Sequence, residues 1–157
     1  MSRYDRQLRL WGLSGQKRLS SSKLLVLGCN PIIIETIKNL ILPGCSTVYI
    51  VDAKPFSVDD LKSTFSISTS LISKNNNEIQ YRCELIALAL SNLNPEVQIS
   101  YLPLSPDSLI YSSYVENISL FKSLISSCDL ILTSLDDTSE SSLVLLNQNT
   151  SFPLIHV

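Results

Sequence analysis

The feature that most constrains this chain is a regular alternation of short apolar runs with longer stretches of helical periodicity. A short run that is apolar at nearly every position is typical of a strand buried on both faces of a parallel sheet. Because parallel strands need crossover connections, the alternation predicts an α/β fold, a three-layer sandwich with a mainly parallel sheet between helices on both faces. The predicted strands are residues 23–28, 47–52, 97–102, 129–135 and 153–157. The predicted helices are residues 3–20, 32–42, 75–93 and 140–147, with a short helix within 59–73 and another within 103–127.

The length and composition fit one folded domain. The chain has 157 residues, of which 45% are hydrophobic, and such a chain can bury a substantial core. We therefore interpret residues 1–157 as a single domain. No helix is predicted after the last strand, so we expect the domain to be truncated at its C-terminus.

The charge balance excludes several classes of partner. Charged residues make up only 17% of the chain and the net charge is −2, so the basic stripe of a nucleic-acid binding protein is missing. No apolar run reaches the roughly 18 residues of a membrane-spanning helix. The N-terminus, MSRYDRQLRLWG, is too charged for a signal peptide. We predict a cytoplasmic or nuclear protein with no nucleic-acid or membrane partner.

The cysteines do not have the spacing of a metal site. Cys29, Cys45, Cys83 and Cys128 form no CxxC pair, and His156 is the only histidine. A structural zinc site needs four such ligands close together. We expect no metal site, and four reduced thiols that are partly buried in the core.

The turn after the first predicted strand is of nucleotide-binding type but has lost most of its glycines. In dinucleotide- and ATP-binding domains, glycines let the backbone approach the phosphates, which are held at the N-terminus of the following helix. Here the turn begins with Gly28 and continues through Asn30, but Ile33 occupies the position of the third glycine. Pro31 also removes a backbone donor, although it suits the first turn of a helix. We therefore predict a degenerate turn that holds no nucleotide tightly.

Asp52 ends the second predicted strand, where a ribose-binding acid is found in nucleotide-binding domains. A single acid after a strand is a weak signal. The alternative is a helix cap or a solvated turn residue. The sequence alone leaves both interpretations open.

Several segments resemble one family. YDRQLRLWG (residues 4–12), KNLILPG (38–44) and LNP (93–95) are similar to the adenylation domains of ubiquitin-like-protein-activating enzymes, and the similarity covers essentially the whole chain. This resemblance implies a Rossmann-like, ThiF-like adenylation fold, of which this chain is the N-terminal part. These enzymes pair two such domains, one catalytic and one that keeps the fold without the chemistry.

The resemblance also indicates which half this chain is. The asparagine and arginine that follow the second strand in the catalytic half fall on Asp60 and Ser63, and its lysine falls on Asn76, near Lys74. Since cations must neutralise the phosphates of ATP, these replacements favour the inactive half.

A second acidic position comes after the fourth predicted strand. The magnesium-binding aspartate of the catalytic half is matched by Asp136, but its neighbours fall on Asp137 and Ser141. Asp136 is therefore either a vestige of the magnesium site or simply an acid that caps a helix N-terminus.

One residue of this chain retains a possible role in catalysis. In this family, the arginine of the YxRQ motif reaches across the interface to the ATP of the partner subunit, and that position here is Arg6. The chemistry is that of an arginine supplied in trans. The alternative is a salt bridge of Arg6 within the first helix, to Asp5 or another acid.

The resemblance implies partners and cofactors that lie outside this chain. The expected partner is the catalytic subunit of a heterodimer, which carries ATP and magnesium and forms the thioester with a ubiquitin-like modifier. No cofactor is expected on this chain. The decayed glycine turn and the proline before Gly44 favour the neddylation enzyme, and the sumoylation enzyme is the alternative.

Two hypotheses from other classes compete with this interpretation. The chain could be an active nucleotide enzyme, either an adenylating enzyme or an NAD-dependent oxidoreductase, which would bind phosphate at residues 28–33. It could instead be a structural module unrelated to modifier activation, which would leave the similarity of residues 4–12 as coincidence.

Overall fold

A computed structural model of the chain describes residues 3–63, 80–106, 115–134 and 153–156. These ranges contain five strands and five helices. The strands are β1 (Lys23–Leu27), β2 (Thr47–Val51), β3 (Gln98–Leu102), β4 (Leu130–Thr133) and β5 (Leu154–His156). The helices are α1 (Asp5–Leu19), α2 (Pro31–Ile41), α3 (Val58–Ser63), α4 (Arg82–Ser91) and α5 (Val115–Ser127).

The five strands form one sheet in the order β3-β2-β1-β4-β5, and every neighbouring pair is parallel. The order reverses at β1, which pairs with β2 on one side and β4 on the other. The predicted α/β fold with a parallel sheet is therefore confirmed, and all five strands lie where the apolar runs indicated.

Two hydrophobic clusters cover the two faces of the sheet, because successive strand residues point to opposite sides. On one face, Leu24 and Val26 of β1 belong to a cluster with apolar residues of α2 and α4. On the other face, Leu25 and Leu27 belong to a cluster with residues of α5. The three layers predicted from the sequence are thus present, and the core lies between them.

The boundaries of two predicted helices were wrong. The helix expected over residues 75–93 begins at Arg82, since Pro55 forms a bridge with Tyr81 and the Phe56 N–H donates to the Gln80 carbonyl. The helix expected over 3–20 is interrupted at Gly12, whose φ of 71° is incompatible with an α-helix. The helix predicted over 140–147 lies outside the described residues.

The start of α1 is anchored at the amino-terminal edge of the sheet. Tyr4 lies against Gly44, which precedes β2, and bonds to Asn94 and Glu96, which precede β3. At the other end of α1, Gln16 donates to the Pro43 carbonyl at 2.8 Å. Within the described ranges, no helix has the length and apolar character that crossing a membrane requires.

Candidate functional site

The candidate site lies at the carboxyl ends of β1 and β4. In open α/β sheets, ligands bind in the crevice where the strand order reverses, outside the carboxyl ends of the strands. Gly28 follows β1 with a φ of 84°, a conformation that favours glycine. A Cβ at Gly28 would lie 2.8 Å from Ser134 Oγ, because the residue after β4 packs directly onto the turn. The Ser134 N–H also donates to the Leu27 carbonyl at 2.9 Å.

The N-terminus of α2, which would face a phosphate in a nucleotide-binding domain, is capped by its own chain. Asn30 Oδ1 accepts from the Ile33 N–H at 2.8 Å, and the Asn30 carbonyl accepts from the Ile34 N–H at 3.1 Å. Pro31 has no N–H to offer. Ile33 is fully buried in the core. Its side chain therefore lies between α2 and the sheet, at the position where a nucleotide-binding turn has its third glycine and no side chain.

Asp52 lies beside this turn, at the end of β2, and is only 2% exposed. Its Oδ2 accepts from Arg82 Nε at 3.1 Å and also from Arg82 Nη2, while its Oδ1 accepts from the Lys54 N–H at 2.7 Å. The interpretation of Asp52 as a solvated turn residue is therefore wrong, because the carboxylate is buried in an ion pair.

Arg82 is the residue that sequence reasoning missed. Its Nη1 also lies 3.7 Å from Asp60 Oδ1, so one guanidinium bridges two carboxylates. Burial lowers the pKa of Arg82, but the hydrogen bond and the charge of Asp52 outweigh it, and the pKa is raised overall. The signal in the sequence was a basic residue within an otherwise apolar helical stretch, where a buried charge needs a partner.

Asp60 has a structural role as well. Its Oδ2 accepts from the Ser57 N–H at 2.7 Å and from Ser57 Oγ at 3.1 Å, at the start of α3. The bond from the Ser57 N–H is one half of a capping box, in which a carboxylate of the first helical turn accepts from the residue before the helix. Asp60 therefore connects α3 to the cluster of Asp52 and Arg82.

Two buried cysteines, Cys29 and Cys83, lie close to Asp52. Burial, followed by the charge of Asp52, raises the pKa of the Cys29 thiol well above its ordinary value. The same two causes raise the pKa of Cys83 to about 11, and its Sγ donates to the Asp52 carbonyl at 3.0 Å. Thiols of this kind stay protonated at neutral pH and are poor nucleophiles.

All four cysteines are free and buried, as expected from the sequence. Burial raises the pKa of Cys45 to about 11 and also raises that of Cys128. In the part of the chain that the structure describes, no three histidine, cysteine or acidic side chains are grouped as metal ligands.

Arg6 lies away from the crevice. It is exposed in the first turn of α1, which is anchored at the opposite edge of the sheet. The alternative of a salt bridge to Asp5 is not observed, because Asp5 pairs with Arg9 at 2.9 Å. Arg3 donates to the Leu93 carbonyl at 2.6 Å.

Gly28, Asn30 and Asp52 are thus brought together at the carboxyl edge, whereas Arg6 is separate. Ser63 ends α3. The remaining candidate positions lie outside the described residues: Lys74, Asn76, Asp136, Asp137 and Ser141.

Comparison with known proteins agrees with this architecture. The chain is 31% identical over 155 residues to the NEDD8-activating enzyme E1 regulatory subunit of Gallus gallus, and the alignment covers 98% of this chain and 26% of that protein. It is 39% identical over 98 residues to SUMO-activating enzyme subunit 1 of Rattus norvegicus, which covers 62% of this chain and 26% of that protein. The chain therefore spans about a quarter of these two relatives.

Among solved structures, the chain resembles Escherichia coli tRNA N6-threonylcarbamoyladenosine dehydratase, TcdA, with a TM-score of 0.73. The superposition covers 98% of this chain and 58% of that one at 14% identity, which supports a shared fold only. The model of the ThiF family matches residues 4–156. With its parallel sheet, its crevice at the end of β1 and this match over nearly its whole length, the chain belongs to the ThiF family.

Proposed function

We propose that this chain is part of the regulatory, non-catalytic subunit of an activating enzyme for a ubiquitin-like modifier, acting with a catalytic partner subunit that binds ATP and magnesium. One observation carries the proposal. The crevice that would hold a nucleotide in this fold is occupied by the chain's own contacts, between Gly28 and Ser134 and between Asp52 and Arg82.

The residues present do not fit a bound nucleotide. Phosphates need free N–H groups at the start of a helix and a backbone without side chains in the way. Asn30 already accepts from the Ile33 N–H, and Pro31 contributes no donor. A ribose-binding acid must also reach its ligand, whereas Asp52 is buried and engaged by Arg82 and the Lys54 N–H.

The charge at the crevice supports the same conclusion. Transfer of a nucleotidyl group requires cations aimed at the phosphates. Arg82 is a fixed cation at the crevice, but Asp52 and Asp60 both pair with it. A triphosphate would have to compete with two carboxylates that are already in place.

Arg6 is proposed to contact the ATP of the partner subunit. In the described ranges Arg6 has neither a hydrogen bond nor an ion pair, and it is exposed. Leu10, one helical turn further on the same face of α1, is 78% exposed. An exposed cation next to an exposed apolar side chain is the composition of a protein interface, in which arginine is enriched.

The modifier is proposed to be that of the neddylation pathway. The support is the length of the alignment, which extends over 98% of this chain for the NEDD8-activating subunit of Gallus gallus and over 69% for three others, compared with 62% for the SUMO-activating subunit of Rattus norvegicus. The decayed glycine turn points in the same direction. A cytoplasmic or nuclear location fits this function.

The test is reconstitution. The full-length protein is co-expressed with the catalytic subunit of either the neddylation or the sumoylation enzyme, and ATP–pyrophosphate exchange is measured with each modifier. We expect a stable heterodimer and modifier-dependent exchange with the neddylation pair. Exchange only with the sumoylation pair would replace the modifier but leave the subunit role unchanged.

Calorimetry separates this proposal from an active nucleotide enzyme. We expect no binding of ATP–Mg or NAD to the full-length protein alone at micromolar concentrations. Micromolar affinity for either ligand would overturn the non-catalytic role.

A further inference from the structure

Tyr4, the residue immediately before α1, is held by two polar partners. Its hydroxyl donates to Glu96 Oε2 at 2.7 Å and accepts from Asn94 Nδ2 at 3.0 Å. Both partners belong to the turn that leads into β3. The first turn of α1 is therefore tied to a segment about 90 residues later in the chain.

One of the two partners of Tyr4, Asn94, is itself fixed. Asn94 is fully buried, and its Nδ2 also donates to the Ile41 carbonyl at the end of α2, at 2.8 Å. The tyrosine ring lies so close to Gly44 that a Cβ there would be 2.7 Å from Cζ. Because Asn94 is buried and donates to both the Tyr4 hydroxyl and the Ile41 carbonyl, it has few alternative arrangements and holds the Tyr4 hydroxyl in place, whereas Glu96 is exposed.

Arg6 inherits its direction from this anchor. The Tyr4 carbonyl accepts from the Leu8 N–H at 2.9 Å, so the hydrogen-bond ladder of α1 begins at the anchored residue. Arg6 lies two positions later in the first helical turn, with no polar contact of its own in the described ranges. The backbone held by Tyr4 therefore sets the position of the Arg6 Cα, from which the side chain extends.

We infer that Tyr4 is a positioning residue for Arg6: its hydroxyl, bonded to Asn94 and Glu96, fixes the helix turn that presents Arg6 to the ATP of the partner subunit. This inference rests on the proposed trans role of Arg6. Tyr4 itself touches no reacting group. Misplacement of a catalytic cation by a fraction of an ångström is enough to slow a reaction. Loss of the Tyr4 hydroxyl should therefore be measurable as a lower reaction rate.

The experiment is a double-mutant cycle in the reconstituted heterodimer of full-length subunits. Tyr4→Phe keeps the ring on Gly44 and removes the hydroxyl, and Arg6→Ala removes the cation. We expect Arg6→Ala to lower the kcat of ATP–pyrophosphate exchange about tenfold or more. Tyr4→Phe should lower kcat about 3- to 10-fold, the value of one or two hydrogen bonds. The double variant should be no slower than Arg6→Ala alone.

Tyr101→Phe is the matched control. The Tyr101 hydroxyl also bonds to a glutamate, Glu84, at 3.2 Å, but it lies on β3 and has no contact with the anchor. The control should leave kcat unchanged. Glu96→Gln gives a second, milder disturbance of the anchor and should lower kcat in the same direction as Tyr4→Phe.

The outcomes separate the two ideas. If Arg6→Ala slows exchange while Tyr4→Phe and Glu96→Gln do not, the positioning role is wrong and the trans role of Arg6 stands. Losses that multiply in the double variant would show that Tyr4 acts on stability or assembly, and would also reject the positioning role. An unchanged rate in Arg6→Ala would reject both.

Discussion

The carboxylate of Asp52 and the guanidinium of Arg82, thirty positions apart in the sequence, form a buried ion pair that joins the end of β2 to the start of α4. The pair lies where a nucleotide-binding member of this fold would hold the ribose of its ligand. The Lys54 N–H completes the hydrogen bonding of the carboxylate. Arg82 thus pairs with this carboxylate from within the chain.

Removing the cation alone should be strongly destabilising. Arg82→Ala leaves the Asp52 carboxylate buried without its main partner, and we expect a loss of about 3–5 kcal/mol in the free energy of unfolding. Urea denaturation monitored by circular dichroism measures it. Arg9→Ala is the control, because the pair of Arg9 with Asp5 is on the surface and contributes about 1 kcal/mol or less. Equal losses for the two variants would contradict the buried role of Arg82.

The cap of α2 gives a second prediction. Asn30→Ala removes the acceptor for the Ile33 N–H and should cost about 1 kcal/mol of stability. Asn30→Asp keeps an acceptor at the same place, and its stability should be close to that of the unchanged protein. Thermal unfolding of the three proteins decides the point, and a loss shared by both variants would show that the cap is unimportant.

Two glycines of positive φ, Gly12 and Gly44, allow the cost of backbone strain to be measured separately from the cost of a steric clash. Gly12→Ala meets open space and should cost only the conformational strain of a backbone at φ 71° and ψ 178°, about 1–3 kcal/mol. Gly44→Ala adds a collision with the Tyr4 ring, 2.7 Å from Cζ, and should cost a further 1–3 kcal/mol or so. Chemical denaturation of both variants measures the difference. Similar losses would mean that Tyr4 does not pack on Gly44 as described.

The buried thiols predict a dependence on pH. Because burial raises the pKa of Cys45 and Cys83 from 9.0 to about 11, folding favours their protonated forms. Their contribution to stability is complete below pH 9 and is lost as the pH rises toward 11. We expect the melting temperature to fall over that window.

Thiol labelling checks the same burial independently. In the native protein at pH 8, Ellman's reagent should react with few of the four cysteines, and it should react with all of them in denaturant. Rapid labelling of Cys83 in the native state would contradict its buried position close to Asp52.

Much of the fold could be predicted because each buried strand is a short apolar run. Residues 23–28 and 47–52 lie in the core on both faces, so nearly every position is apolar and the pattern is unambiguous. The start of α4 could not be predicted, because Gln80 and Tyr81 are suited to a helix but are held extended by Lys54, Pro55 and Phe56.

The site was predicted in part. Gly28 and Asn30 could be placed because they follow a strand and precede a helix, and local chemistry determines both roles. The partner of Asp52 could not be predicted, because its pairing with Arg82 depends on the packing of α4 against the end of β2. Long-range contacts of this kind leave no local pattern in a single sequence.

The anchor of α1 lies at the amino-terminal edge of the sheet, and the crevice lies at the carboxyl edge. Under the proposed function, the part of the chain that serves the partner is thus remote from the crevice, and a change at one edge need not disturb the other.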